Sequence, residues 1–252
     1  MDVVEGVGAL RAGDGPLFVV VGVFDGLHRG HAYLLEHLVA EADRRAARPT
    51  VITFDHHPDE VLTGSAPPFL IEPEERLERL ASAGVAATVV QRFDAALRQT
   101  TYDAFIERIR ARTTLRGFLM TPDAAFGYER AGTPQAVTSL GERDGFDVVV
   151  VPPFELDGQP VRSSDIRTAI AAGDLETAHR LLGRPFTVTG PIGADGRMTF
   201  TMPMALPPDG TYGCEVSGRA CTAVVEAGAV RVEAQDRPTG RVELAFRTPV
   251  RS

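Results

Sequence analysis

Hydrophobic positions in the first two-thirds of the chain alternate between two rhythms. Short aliphatic and β-branched runs at residues 17–22, 50–54, 86–91, 117–120 and 147–151 read as buried strands. Between them the apolar spacing turns helical. Leu34, Leu35, Leu38, Val39 and Ala42 fall on one face, with Glu36, Glu41, Asp43 and Arg44 off it. Pro73, followed by Arg76, Leu77 and Leu80, predicts a second helix ending near Gly84. Tyr102, Phe105, Ile106 and Ile109 predict a third. Alternation of this kind predicts a parallel sheet covered on both faces, with ligands at the carboxyl ends of its strands.

Past residue 151 the rhythm changes. Residues 164–172 and 175–182 read as two short helices, split by Gly173-Asp174 and closed by Gly183. Beyond Pro185 helical periodicity stops. Segments 186–189, 211–216, 221–225, 230–233 and 241–246 read as short strands between Gly, Pro and Asp turns. The expected organisation is an α/β domain over residues 1–185 and a small β domain over 186–252.

With 44% hydrophobic and 24% charged residues, the chain has the make-up of a globular protein rather than a disordered one. The run at 17–22 is too short to span a bilayer. Met1, Asp2, Val3, Val4 and Glu5 ahead of it lack the basic segment of a secretory signal, so a cytoplasmic location is expected. Lys+Arg number 26 against 34 Asp+Glu, a net charge of −8 without a basic cluster, which argues against a nucleic-acid partner. Cys214 and Cys221 lack nearby histidines for a zinc site and read as packing residues.

Candidate chemistry is concentrated where the first strand enters the first helix, at Gly22-Val23-Phe24-Asp25-Gly26-Leu27-His28-Arg29-Gly30-His31. Gly26 and Gly30 permit a tight turn and close backbone approach. The helix start offers free N–H groups and about half a positive charge, which suits phosphate. His28 and His31, three positions apart, are expected on one face of the first turn, donating to the oxygens of a phosphorus under attack. Asp25 reads either as a polar core residue of the turn or as a residue that orients ligand. Likewise His57 reads either as functional or as part of a solvated loop. His37 and His179 are expected at the surface among charged neighbours.

The motif resembles the G-x-F-D-G-x-H-x-G-H signature of the bacterial FAD synthetases, a branch of the H-x-G-H nucleotidyltransferases. Phe54-Asp55-His56-His57-Pro58 is similar to that family's F-E-P-H-P. Val161-Arg162-Ser163-Ser164-Asp165-Ile166-Arg167 resembles its V-S-S-T-x-I-R, and residues 121–132 resemble G-E-D-F-R-F-G with a following basic loop. The resemblance covers residues 1 to about 190. It implies a Rossmann-like nucleotidyltransferase domain followed by a small β-barrel-like domain. It also implies adenylyl transfer from ATP to FMN, with Mg²⁺ travelling on the triphosphate rather than in a protein metal site. Carried over, Gly22, Val23, Phe24, Asp25, Gly26, His28, His31, Ser163, Ser164 and Arg167 would hold the nucleotide. His28, His31 and Arg167 would be catalytic. Phe54, His57, Pro58, Asp123, Phe126, Arg130 and Arg162 would hold the flavin. The serines and Asp165 are also expected to cap a helix.

Two departures keep other readings open. Ala124 and Ala125 replace the aromatic and basic residues of the flavin stretch, so an alternative is transfer to a modified flavin or another phosphorylated acceptor, or from CTP. A non-catalytic flavin- or nucleotide-binding paralogue is a further alternative. The roughly 65 residues behind Pro185 are fewer than a riboflavin kinase domain of the family needs. Pro203-Met204-Ala205-Leu206 also stands where that domain carries P-T-A-N, so no kinase activity is expected.

Overall fold

The computed structural model describes residues 1–233 and 240–249. These form two compact units. The first comprises Met1–Phe24, His31–Pro67 and Leu77–Phe154; the second comprises Asp25–Gly30, Pro68–Arg76 and the described residues from Glu155 onward.

The first unit is built on six strands, β1 (Asp2–Glu5), β2 (Leu17–Val21), β3 (Arg48–Phe54), β4 (Ala87–Gln91), β5 (Leu115–Met120) and β6 (Asp147–Val150). All neighbours are parallel, in the order β1-β4-β3-β2-β5-β6. The helices of this part of the chain are α1 (Arg29–Arg44), α2 (Pro58–Thr63), α3 (Pro73–Ser82), α4 (Ala95–Arg98), α5 (Tyr102–Arg110) and α6 (Pro134–Asp144). Val19, Ile52, Val89 and Phe118 of the sheet bury against Phe105, Ile106 and Ile109 of α5 and Val137 and Leu140 of α6. From β2 the chain winds outward to β3 and β4 on one side, and from β5 to β6 on the other. The topological switch point therefore lies between β2 and β5, where such sheets bind ligands.

The second unit begins with a two-stranded hairpin, β7 (Glu155–Leu156) and β8 (Gln159–Pro160), and two helices, α7 (Ser163–Ala171) and α8 (Leu175–Leu182). An antiparallel sheet follows, made of β9 (Thr187–Ile192), β10 (Gly210–Val216), β11 (Arg219–Glu226), β12 (Ala229–Glu233) and β13 (Gly240–Pro249), in the order β12-β11-β10-β13-β9. Residues 196–199 close it. Thr199 N–H donates to the Pro191 carbonyl on β9, and Met198 N–H donates to the Val230 carbonyl on β12. Val232 N–H returns a bond to Gly196, so the sheet curls into a small barrel. Cys214 and Cys221 face each other across β10 and β11 as free thiols, and burial pushes the Cys214 thiol up to about 12.

Several sequence expectations change here. Strand β1 is an additional edge strand, with Asp2, Val3 and Glu5 exposed, and it lacks the apolar run of a buried one. α2, α4 and α6 are additional helices; α6 buries only Val137, Leu140 and Gly141, too thin a stripe to read. The second unit takes in the chain from Glu155 onward as well as Asp25–Gly30 and Pro68–Arg76, so α7 and α8 fall with the later strands. Ile166, Ile170, Leu175 and Leu182 of the two helices share one apolar cluster with Phe186, Tyr212 and Phe246. His179 and His37 are half-buried rather than at the surface. His37 Nδ1 lies 2.9 Å from the Tyr33 carbonyl, and burial lowers the pKa of His179. Among the described residues no helix is long and apolar enough to cross a membrane.

Candidate active site

Strand β2 does not stop cleanly at Val21. Gly22 N–H still donates to the Ile52 carbonyl at 3.0 Å, and Thr53 Oγ1 donates to the Val23 carbonyl at 3.0 Å. The backbone then turns through left-handed conformations at Phe24 (φ 54°), Gly26 (φ 79°) and Leu27 (φ 39°). For Phe and Leu this region costs energy, and such strain gathers where function requires a fixed backbone. A Cβ on Gly26 would sit 2.7 Å from Leu70 Cδ1, so glycine is required twice over.

Helix α1 starts at Arg29, which places His31 in its first turn among free N–H groups. Its ring lies 5.0 Å from that of Phe24. His28 immediately precedes the helix rather than sharing its first turn. It is 5% exposed. Burial above all, then the charges of Arg184 and Arg167, lower its pKa to about 4. The imidazole is therefore neutral at neutral pH, with one ring nitrogen donating and the other accepting.

Asp25 is a structural hub of the second unit, 3% exposed. It accepts from the backbone N–H groups of Leu70 (2.9 and 3.1 Å) and Ile71 (3.3 Å), and pairs with Arg167 Nη2 at 2.6 Å. Burial raises its pKa, while Arg167 and the two amides pull it back. Arg167 also donates from Nε to the Pro68 carbonyl at 2.8 Å. Ser163 Oγ donates to the Asp25 carbonyl at 2.9 Å. The expected capping role is therefore not the one these residues take. Arg162 is the N-cap of α7, without a side-chain cap bond, and Ser164 turns to Asp165 at 3.3 Å. Within the second unit the turn residues Asp25 and Gly26 thus sit in a polar web with Arg167 and Ser163.

At the switch point of the first unit one cavity of about 760 Å³ opens. Phe54, Pro58, Asp123, Phe126 and Arg130 line it together with Gly22 and Val23. Such a volume is that of a small-molecule site. Ala124 and Ala125 also line it. Its rim holds Gly127, Glu129 and Arg130 at positive φ, and Arg130 Nη2 donates to the Asp123 carbonyl at 3.3 Å. His57 is not in the lining; its Nδ1 caps α2 by accepting from Asp59 N–H at 3.2 Å. Arg162 is exposed and belongs to the second unit.

Sequence reasoning missed Arg184, whose Nη2 donates to the Gly26 carbonyl at 2.9 Å. It also missed the Leu70 and Ile71 amides, which carry no side-chain signature. For Arg184 a signal exists: it follows the helix-ending Gly183 and precedes Pro185. Among the described residues no group of three His, Cys, Asp or Glu side chains forms a metal cage.

The parallel sheet, the switch-point cavity and the strand–turn–helix motif make up an α/β fold that carries an H-x-G-H turn. The fold recurs in a solved structure described as a macrolide-efflux protein from Streptococcus pneumoniae, with a TM-score of 0.80 and 22% identity over 99% of this chain and 90% of that one. At that identity the likeness speaks for the fold alone. Residues 11–165 match the family model of FAD synthetase. Bifunctional riboflavin kinase/FMN adenylyltransferases are similar as well. The one from Pseudomonas fluorescens is 31% identical over 75% of this chain and 61% of its own length, and that from Haemophilus influenzae 33% over 68% and 56%. The Escherichia coli K12 protein is 32% identical over 79% of this chain and 68% of its own length. The chain belongs to the FAD synthetase family. It spans about three fifths of the length of the first two of these relatives.

Proposed function

We propose that the chain is an FMN adenylyltransferase, making FAD and pyrophosphate from FMN and ATP. An oxygen of the FMN phosphate attacks the α-phosphorus; the new O–P bond forms as the bond to the β-phosphate oxygen breaks, and pyrophosphate leaves. Such a reaction needs positioning and charge stabilisation, with no covalent enzyme intermediate. In this reading the α1 N-terminus and His31 meet the phosphates, and neutral His28 donates to an oxygen that gains charge. Ser163, Ser164 and Arg167 serve the departing phosphates. The observation that carries the reading is the cavity in which Gly22 and Val23 of the motif share a wall with Phe54, Asp123, Phe126 and Arg130. Magnesium would enter on the triphosphate and supply charge neutralisation there, since the motif offers hydroxyl and N–H donors rather than a carboxylate cage.

A second reading has its own support. Ala124 and Ala125 leave the cavity wall open where larger side chains would narrow it. That favours an acceptor bulkier than FMN, such as a modified flavin phosphate. One experiment separates the readings: incubate the protein with ATP or CTP plus FMN, riboflavin or other phosphorylated acceptors, and follow pyrophosphate release. Release with ATP and FMN above all other pairs supports the first reading, and release with another pair the second. None with any pair leaves a binding protein.

A further inference from the structure

We propose that Arg184 is a positioning residue of the triphosphate site, fixing the Gly26 carbonyl and setting a permanent positive charge beside His28. The inference rests on the nucleotidyltransferase reading and adds a residue to it. Helix α8 is anchored in the apolar cluster of the second unit by Leu175, Ala178 and Leu182. Gly183 ends it in the left-handed conformation, φ 76°, and a Cβ there would come within 2.9 Å of Arg29 Cγ. The chain leaves the helix in a set direction, and Pro185 restricts the exit further. Arg184 reaches from that point to the turn of the phosphate motif, where its Nη2 holds the Gly26 carbonyl at 2.9 Å.

The turn needs such a hold. Phe24, Gly26 and Leu27 all stand at positive φ, so the conformation persists only if its surroundings fix it. Asp25 and Ser163 fix one peptide, and Arg184 fixes the next. Arg167 is ion-paired with Asp25 at 2.6 Å, which balances it. Arg184 Nη2 bonds the neutral Gly26 carbonyl. The charge of Arg184 acts on His28 after burial and ahead of Arg167's, adding to the lowering of the imidazole's pKa that burial begins. A guanidinium suits both tasks, because its planar fork bonds a carbonyl while its charge stays delocalised and permanent.

The test uses Arg184→Gln, which keeps a donor but not the charge, and Arg184→Lys, which keeps the charge but not the fork. The readouts are ATP and acceptor KM, His28 titration by NMR, and calorimetric binding of tripolyphosphate. For Arg184→Gln we expect the His28 pKa to rise toward its ordinary value. The ATP KM should rise at least tenfold, with the acceptor KM within about twofold. An unchanged His28 titration together with an unchanged ATP KM overturns the proposal. If the wild type turns over no nucleotide, the functional reading fails, and the His28 titration and tripolyphosphate binding still judge Arg184. Binding at least tenfold weaker in Arg184→Gln supports it, and equal or absent wild-type binding overturns it. Should Arg184→Gln not fold, Arg184→Lys carries the test. Its ATP KM should rise at least threefold while His28 still titrates near 4, and an unchanged KM refutes the role.

Discussion

His28 is the residue whose behaviour the fold changes most. Its pKa falls from 6.5 to about 4, so between those values the unfolded chain binds a proton that the folded protein refuses. Stability is therefore full above about pH 6.5 and declines as pH falls toward 4, by about 1.4 kcal/mol per unit. In urea titrations at about pH 7 and pH 5, His28→Gln should show a smaller acid-side loss than the wild type. Equal losses would place the acid sensitivity elsewhere. For catalysis, His31→Ala should lower turnover by about 10²–10³-fold, the usual effect of losing one donor to a developing charge. Near wild-type turnover in both His31→Ala and His28→Ala would remove them from the mechanism. Arg167 carries a mixed prediction. Removing it leaves the Asp25 carboxylate buried beside two amides, so Arg167→Ala should cost about 3–5 kcal/mol in denaturant unfolding. It should also raise the ATP KM more than the acceptor KM, and a stability cost below about 1 kcal/mol would mean that Asp25 does not depend on it. The histidines were legible because their spacing follows a strand and precedes a helix. The dependence of Arg167 on Asp25 was not, because 142 residues separate the partners and neither residue type announces the other.

Among the elements, the turn between β2 and α1 holds the most constraint in the fewest residues. Gly26→Ala combines φ 79° with a 2.7 Å approach to Leu70. We expect it to cost more than about 1 kcal/mol in unfolding free energy and to depress turnover beyond what that loss explains. A variant with wild-type Tm and turnover would show that the turn can relax. The strands and the longer helices announced themselves through period, because each buries one stripe or one run. α6 did not, although Thr133 caps it and Pro134 opens it, since its apolar stripe is only Val137, Leu140 and Gly141. The cap of α7 was misread for a related reason. Ser163 has the side chain of a cap, and the Asp25 carbonyl of another segment takes its hydrogen instead.

At the scale of the molecule, the second unit bears on the expectation that the chain has no riboflavin kinase activity. Met204 and Ala205 are buried, and their segment pairs with Phe69: Phe69 N–H donates to the Pro203 carbonyl at 2.8 Å, and Ala205 N–H to the Phe69 carbonyl at 2.7 Å. Phe69 precedes Leu70, whose amide holds Asp25. If residues 203–206 correspond to the kinase's P-T-A-N, as the resemblance implies, that stretch here turns a thioether and a methyl group into a core. We expect riboflavin with Mg·ATP to yield no FMN above a no-protein control by chromatography; steady production would overturn this. A change of rhythm near residue 185 was legible, but the grouping of α7 and α8 with the strands was not. Helical periodicity tells which face is buried and not against what. The closing of the barrel by residues 196–199 has one more consequence. An open sheet presents rows of unpaired N–H and C=O groups that recruit strands from other chains. Here the Pro191 carbonyl of β9 and the Val230 carbonyl and Val232 N–H of β12 are taken up by a segment of their own chain. These margins of the second unit are thereby partly covered, and they should recruit foreign strands less readily for as long as that segment stays in place.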